Sequence, residues 1–254
     1  MNKSIILPCL ALGFISSCIS SKTTTIPADE PAVVINYDYT PPTQSNEKVD
    51  ISFILLNPSY GKKFQGERQP MFTKFINNMG ADFEEMLVAK GYSIRGPYDT
   101  YDEIVYADKN ETDLLLESSI DFTYEWGSEA IKKQQYPGGK YVAPFTKLQI
   151  DGNLHLGGKV NLIIKEAITQ EKLWVKSIPL VDKAVPVLTK VYKGNTLREA
   201  LSQINNDVGY KNAVYRALDD YYQKALKTAW NNLDPNELTV LKKQVKELRK
   251  KKGY

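Results

Sequence analysis

The sequence predicts an α+β domain, with one mostly antiparallel sheet and helices packed on it. Three observations lead there. Two long segments in the middle of the chain, 114–126 and 148–164, alternate apolar and polar residues at strand spacing. The last third repeats apolar residues at helical spacing, and a strand–helix–strand unit precedes both. The composition, 42% hydrophobic and 25% charged over 254 residues, is that of a globular chain and excludes a disordered or collagen-like one. No internal repeat is visible.

The elements follow in order. Ile51 to Asn57 is a continuous apolar run ended by Pro58, as in a buried strand. Phe72, Phe75, Ile76, Met79, Phe83, Met86 and Leu87 then fall three and four apart. They mark an amphipathic helix from Gln69 to Lys90, with Gly91 as its stop. Tyr92 to Arg95 reads as a short strand before Gly96-Pro97, and Leu114 to Trp126 as a long one. Leu148 to Ile164 is either one bent strand interrupted at Gly157-Gly158, or two strands around a turn or bulge. Lys172 to Val181 is the next strand, joined through a hairpin at 167–171.

Helices close the chain. Thr196-x-x-Glu199 is a capping box. Val214, Leu218, Tyr221, Tyr222, Ala225, Ala229 and Leu233 define a helix of about six turns. Asp234-Pro235-Asn236-Glu237 places an N-cap, a first-position proline and an acidic third residue ahead of the stripe Leu238, Leu241, Val245, Leu248.

Residue inventory removes many functions. The 33 basic and 30 acidic residues are too balanced for a nucleic-acid binder. The only cysteines, Cys9 and Cys18, lie in the first 18 residues, and His155 is the only histidine. Disulfide frameworks, zinc sites and histidine-based catalytic constellations are therefore not expected. On this reading the chain has no catalytic residues, no metal and no cofactor, and is not an enzyme. His155, between Leu154 and Leu156 on an alternating strand, is expected to face away from the core.

The N-terminus carries the most specific signal. Lys3 precedes an apolar run from Ser4 to Ile15, about a dozen residues and so shorter than the ~20 needed to cross a bilayer. That is the form of a removable export signal. Ile15-Ser16-Ser17-Cys18 resembles the lipobox of bacterial lipoproteins. The resemblance implies cleavage before Cys18, a diacylglycerol on its thiol and an acylated new N-terminus. Ile19, in place of an aspartate, implies passage to an outer membrane. The alternative is an ordinary signal cut elsewhere. Residues 1–17 are thus read as signal peptide, 18–49 as a flexible tether rich in Ser, Thr, Pro and acidic residues, and 50–254 as the α+β domain. Val33-Val34-Ile35 offers a short strand within the tether.

The domain as a whole resembles the neuraminyllactose-binding hemagglutinin family, lipid-anchored adhesins of the bacterial outer membrane. The matching pieces run in order: Ile54-Leu55-Leu56-x-Pro58, Lys90-Gly91-Tyr92-x-Ile94 and the strand from Leu114. Gly158-x-Val160-x-x-x-Ile164-x-Glu166, Glu171-x-Leu173 and a basic tail at Lys246-Glu247-Leu248 complete the series. The resemblance implies binding of sialylated glycans on a host or other surface. The family's basic motif falls on Ser128 to Gly138, where Ile131 and Lys133 match and Lys132 keeps charge nearby. Lys132 and Lys133 are the candidate ligand residues, two ammonium groups for one carboxylate. The leading basic positions are Ser128 and Glu129 instead, and the alternative is a polar exposed hairpin loop without a ligand.

Two further segments stand out. Between Gly96 and Asp113, Tyr98, Tyr101 and Tyr106 interleave with Asp99, Asp102, Glu103 and Asp108, which suits a neutral sugar, a calcium ion or a solvated loop. Lys242 to Lys252 holds seven basic residues and one acidic. That tail is expected to meet anionic headgroups, an acidic partner or peptidoglycan, or to dock its apolar stripe on the sheet. The partner classes are therefore the membrane through the N-terminal lipid, a glycan, and envelope proteins.

Overall fold

A computed structural model describes residues 31–62, 64, 69–128, 131–194 and 196–254, the side chains of 188–194, 197, 198, 200 and 201 excepted. Cys9, Cys18 and the signal segment lie outside the described residues.

The buried run forms strand β1 (Ser52–Leu56), flanked by β3 (Ser93–Tyr98) and β4 (Leu114–Trp126), both parallel to it. A two-residue strand, β2 (Ser59–Tyr60), continues beside β4. On the other edge of β4 runs β6 (Phe145–Glu166), antiparallel, with β5 (Ile131–Tyr136) pairing farther along that same edge of β6. β7 (Lys172–Gly194) covers the opposite edge of β6. Among the described residues this is one seven-stranded sheet of α+β type. It is mixed: the segment around β1 is parallel, because a helical crossover separates β1 from β3.

Helix α1 (Pro70–Ala89) starts on a first-position proline and ends where Gly91 adopts φ 88°. Its buried face is Phe72, Phe75, Met79, Phe83, Met86 and Leu87, the spacing seen in the sequence. The capping box opens α3 (Leu197–Ile204), α4 spans Val208–Asn232, and Asp234 caps α5 (Pro235–Lys252) by accepting from Asn236 and Glu237. These helices cover one face of the sheet over a core that includes Phe53, Leu55, Leu116, Leu162 and Ile164, all fully buried. Each such side chain contributes roughly 1.5–3 kcal/mol by leaving water.

Several expectations change. The stretch from Ser128 to Gly138, anticipated as loop, contains β5: β6 reaches back to Phe145 and offers a pairing edge that the polar sequence does not advertise. β7 runs past Val181 to Gly194 despite Pro179 and Pro186, as an edge strand bonded on one side only permits. Leu148 to Ile164 is one strand, its pairing with β7 shifting register between Ile150 and Gly152 and again between Leu156 and Gly158, where φ is 136°. A Cβ there would lie 1.9 Å from the Asp121 carbonyl oxygen, so glycine is required.

The described half of the expected tether belongs to the fold. Residues 31–50 form an extended strap along the groove between α1 and α4, not a strand. Asn212 accepts from Val33 N at 2.9 Å and donates to Pro31 O at 3.0 Å. Tyr215 bonds Asn36 on both its amide and its carbonyl. Tyr37, 1% exposed, stacks on Tyr222 and meets Phe75 edge-on, each with centroids 5.2 Å apart. Composition suggested a linker because prolines and acids dominate it, but two tyrosines suffice to dock the strap.

Candidate functional site

Lys132 and Lys133 sit in the middle of β5, both exposed. Lys132 pairs with Gln149 and Lys133 with Leu148. Successive strand residues point to opposite faces, so the two ammonium groups diverge: Lys133 shares the face of buried Leu148, and Lys132 takes the other. The pair does not converge on a single carboxylate.

The tyrosine-and-acid segment is used internally. Tyr98 donates to Asp108 Oδ2 at 3.0 Å, and Arg95 pairs with both Asp108 and Glu111. Asn57 donates to Asp99, and Glu103 accepts from Asp99 N and Thr100. Tyr101 reaches across to the carbonyls of Ala167 and Ile168, both at 2.9 Å. A short 3-10 turn (Tyr101–Glu103) and helix α2 (Tyr106–Glu111) result, and they close a second small core of Ile54, Leu56, Ile104, Leu115 and Ala167. This segment is a lid over the back of the sheet, with the carboxylates of Asp99, Glu103, Asp108 and Glu111 already engaged. No group of three metal-ligating side chains occurs among the described residues.

The basic tail divides in two. Leu238, Leu241 and Val245 dock inward, as the stripe predicts. Lys242 reaches Asp50 and Asp113 at 3.0 and 3.2 Å, Arg249 pairs with buried Glu166, and Lys252 with Glu171 at 2.7 Å. Lys243, Lys246, Lys250 and Lys251 are exposed.

The open face of the sheet carries a polar row that sequence reasoning missed. Asn161 donates to Asp121 at 3.1 Å and accepts from Ser177 at 3.0 Å, with Ser119 and Lys159 alongside. Beside it, Gly61, Lys62 and Phe64 join Asp121, Phe122 and Thr123 around a cleft of about 460 Å³. The polar positions alternate along β4 and β6, which was the available signal. His155 is on this exposed face, paired across from Glu125.

Comparison places the fold in context. No protein-family model and no curated protein matches the chain. Among solved structures, the chain is similar to a putative neuraminyllactose-binding hemagglutinin homolog from Helicobacter pylori. The TM-score is 0.55 at 14% identity, over 85% of this chain and 100% of that one. At that identity the likeness is one of fold. Looser overlays occur with lipoprotein GNA1162 from Neisseria meningitidis (TM-score 0.30, 10% identity, 61% of this chain, 99% of that one). Another is protein XCC0632 from Xanthomonas campestris (TM-score 0.31, 10% identity, 78% of this chain, 95% of that one). These last two define no shared fold.

Proposed function

We propose that this chain is a lipid-anchored lipoprotein of the bacterial outer membrane whose α+β head acts by binding and not by catalysis. The observation that carries the reading is Ile15-Ser16-Ser17-Cys18, a lipobox placed directly after a short apolar run and ahead of a folded head. Two or three acyl chains would hold such a head at a bilayer where one would not. No described helix is long and apolar enough to cross a membrane, so a lipid is the attachment that the sequence supplies. The fold likeness to the hemagglutinin homolog adds support for an adhesin-like head.

Two occupants of that head follow from the sequence, a sialylated glycan and an envelope protein. The divergence of Lys132 and Lys133 across β5 favours the protein partner. Intact-mass measurement of the native protein tests the anchor. A chain beginning at acylated Cys18 is expected, and an unmodified thiol or cleavage elsewhere overturns the reading. A glycan array tests the head: sialylated signals abolished by Lys132→Ala/Lys133→Ala would restore the glycan reading.

A further inference from the structure

We propose that the β5–β6 hairpin is a membrane-docking finger, its tip entering the interface of an anionic bilayer with Tyr141 and Val142 while Lys140 meets the headgroups. The connection between the two strands, 137–144, is exposed throughout. Gly139 and Val142 exchange backbone hydrogen bonds of 2.8 and 3.2 Å, which closes a tight turn with Lys140 and Tyr141 at its apex. Gly138, at φ 84°, makes the turn possible: a Cβ there would lie 2.6 Å from the Val142 carbonyl oxygen.

The tip is apolar and has nothing to pack on. Tyr141 is 88% exposed and Val142 58%. Behind them, Tyr136 and Phe145 stack with centroids 4.6 Å apart, stiffening the last strand pair before the turn and leaving the apex bare. Residues 131–150 hold Lys132, Lys133, Lys140 and Lys147 and no acidic residue. None of the four has a carboxylate partner among the described residues, and Lys140 lies 5.5 Å from the Tyr141 ring centroid. Exposed aromatics beside unpaired lysines match the chemistry of a headgroup interface, where rings sit at the acyl boundary and ammonium groups meet phosphates.

The arrangement of the lysines favours a bilayer over a single anion. Lys132 and Lys133 lie on opposite faces of the stem, which spoils a clamp on one anion, while the exposed turn at 137–144 leaves Lys140 and Tyr141 free to enter a headgroup layer end-on. At ~3.3 Å per residue Lys132 and Lys133 stand about 25 Å back from the apex, beyond the Debye length of ~8 Å, so Lys140 is the cation that meets the headgroups.

Chain length agrees, granted the anchoring proposed above. The first turn of α4 is a common landmark: Tyr210 stacks on Trp126, and Asn212 holds Pro31. From Leu154, the partner of Trp126, the finger extends about 30 Å to Phe145 at ~3.3 Å per residue. Pro31 is thirteen residues from Cys18, a span of at most ~45 Å, so anchor and finger reach one bilayer. Helix α5 starts beyond the other end of α4, roughly 30 Å away.

The test uses the polypeptide 19–254, which keeps every described residue and has no Cys18 to acylate, so its result is independent of the anchor. It is sedimented with phosphatidylcholine vesicles with and without phosphatidylglycerol. Binding to the anionic vesicles is expected, weakened about tenfold by Tyr141→Ser/Val142→Ser and severalfold by Lys140→Gln. The α5 variant Lys243→Gln/Lys246→Gln/Lys250→Gln should bind like the parent. A Tyr141→Trp variant should show a blue-shifted emission on those vesicles. No binding, unchanged binding in the tip variants, loss in the α5 variant alone, or an unshifted emission would each overturn the proposal.

Discussion

Arg249 on α5 donates its Nε to Glu166 Oε1 at 2.7 Å, tying the C-terminal helix to the turn between the two longest strands. Glu166 is fully buried, and its other oxygen accepts from the amides of Ile168 and Thr169. The guanidinium also donates to the carbonyls of Asn110 and Thr112, so one side chain joins α5, the sheet and the lid. Arg249→Ala leaves a buried carboxylate without its cation, and a loss of about 3 kcal/mol or more is expected. Urea unfolding measures it; a loss below ~1 kcal/mol would mean that the pair is no clamp.

Acid should unfasten the same clamp. Burial pushes the Glu166 carboxyl up, but the Thr169 and Ile168 amides and Arg249 together outweigh it, holding the group below its ordinary value of 4.5. Its stabilisation is therefore complete above that value and lost as pH falls through the lower native one. Glu166→Gln should flatten the acid side of a melting-temperature profile.

Asp82 works in the opposite sense. It accepts from Tyr39 N at 2.8 Å and Tyr222 Oη at 2.6 Å, and burial raises its carboxyl above 3.8 against those two bonds. A raised native value gives stability present below 3.8 and lost as pH climbs through the native value. The melting temperature of Asp82→Asn relative to the parent should thus rise between pH 4 and pH 7. A difference that stays flat would show that Asp82 titrates normally.

The strap offers a clean pair of substitutions. Tyr37 fills the α1–α4 groove, yet its hydroxyl is buried without a hydrogen-bond partner. Tyr37→Phe should match or exceed the parent in stability, whereas Tyr37→Ala should cost about 3–5 kcal/mol and expose 31–50 to protease. Equal effects from both variants would contradict this account of the groove.

Gly158 is the least replaceable position in the sheet. With φ at 136° and the Asp121 carbonyl in the place of a side chain, Gly158→Ala should cost about 3 kcal/mol or more, or prevent folding. Gly139→Ala, where a Cβ meets nothing, is the control and should melt with the parent.

Much of the fold was legible in the sequence. The span of β4, the buried face of α1, and the caps of α3 and α5 follow from apolar period and local hydrogen-bonding residues, which need no knowledge of distant partners. β5 was not legible: Ile131-Lys132-Lys133-Gln134-Gln135-Tyr136 has no apolar alternation, and only the pairing edge of β6 makes it a strand. The tail was legible as a docked stripe, but not which of its cations would be neutralised.

The sequence by itself determined the elements β1, α1, β4 and β6 and the closing helices, the lipobox-like run ending at Cys18, and the absence of a histidine or cysteine constellation from 31–254, because each is a property of residue types and their spacing. Tertiary structure alone decided three relationships: that Lys132 and Lys133 diverge, that Glu166 meets Arg249, and that Tyr37 enters the core. Register across a sheet and burial in a groove depend on residues far apart in the chain, over a hundred positions for Tyr37 and Tyr222, and spacing along the chain carries no record of them.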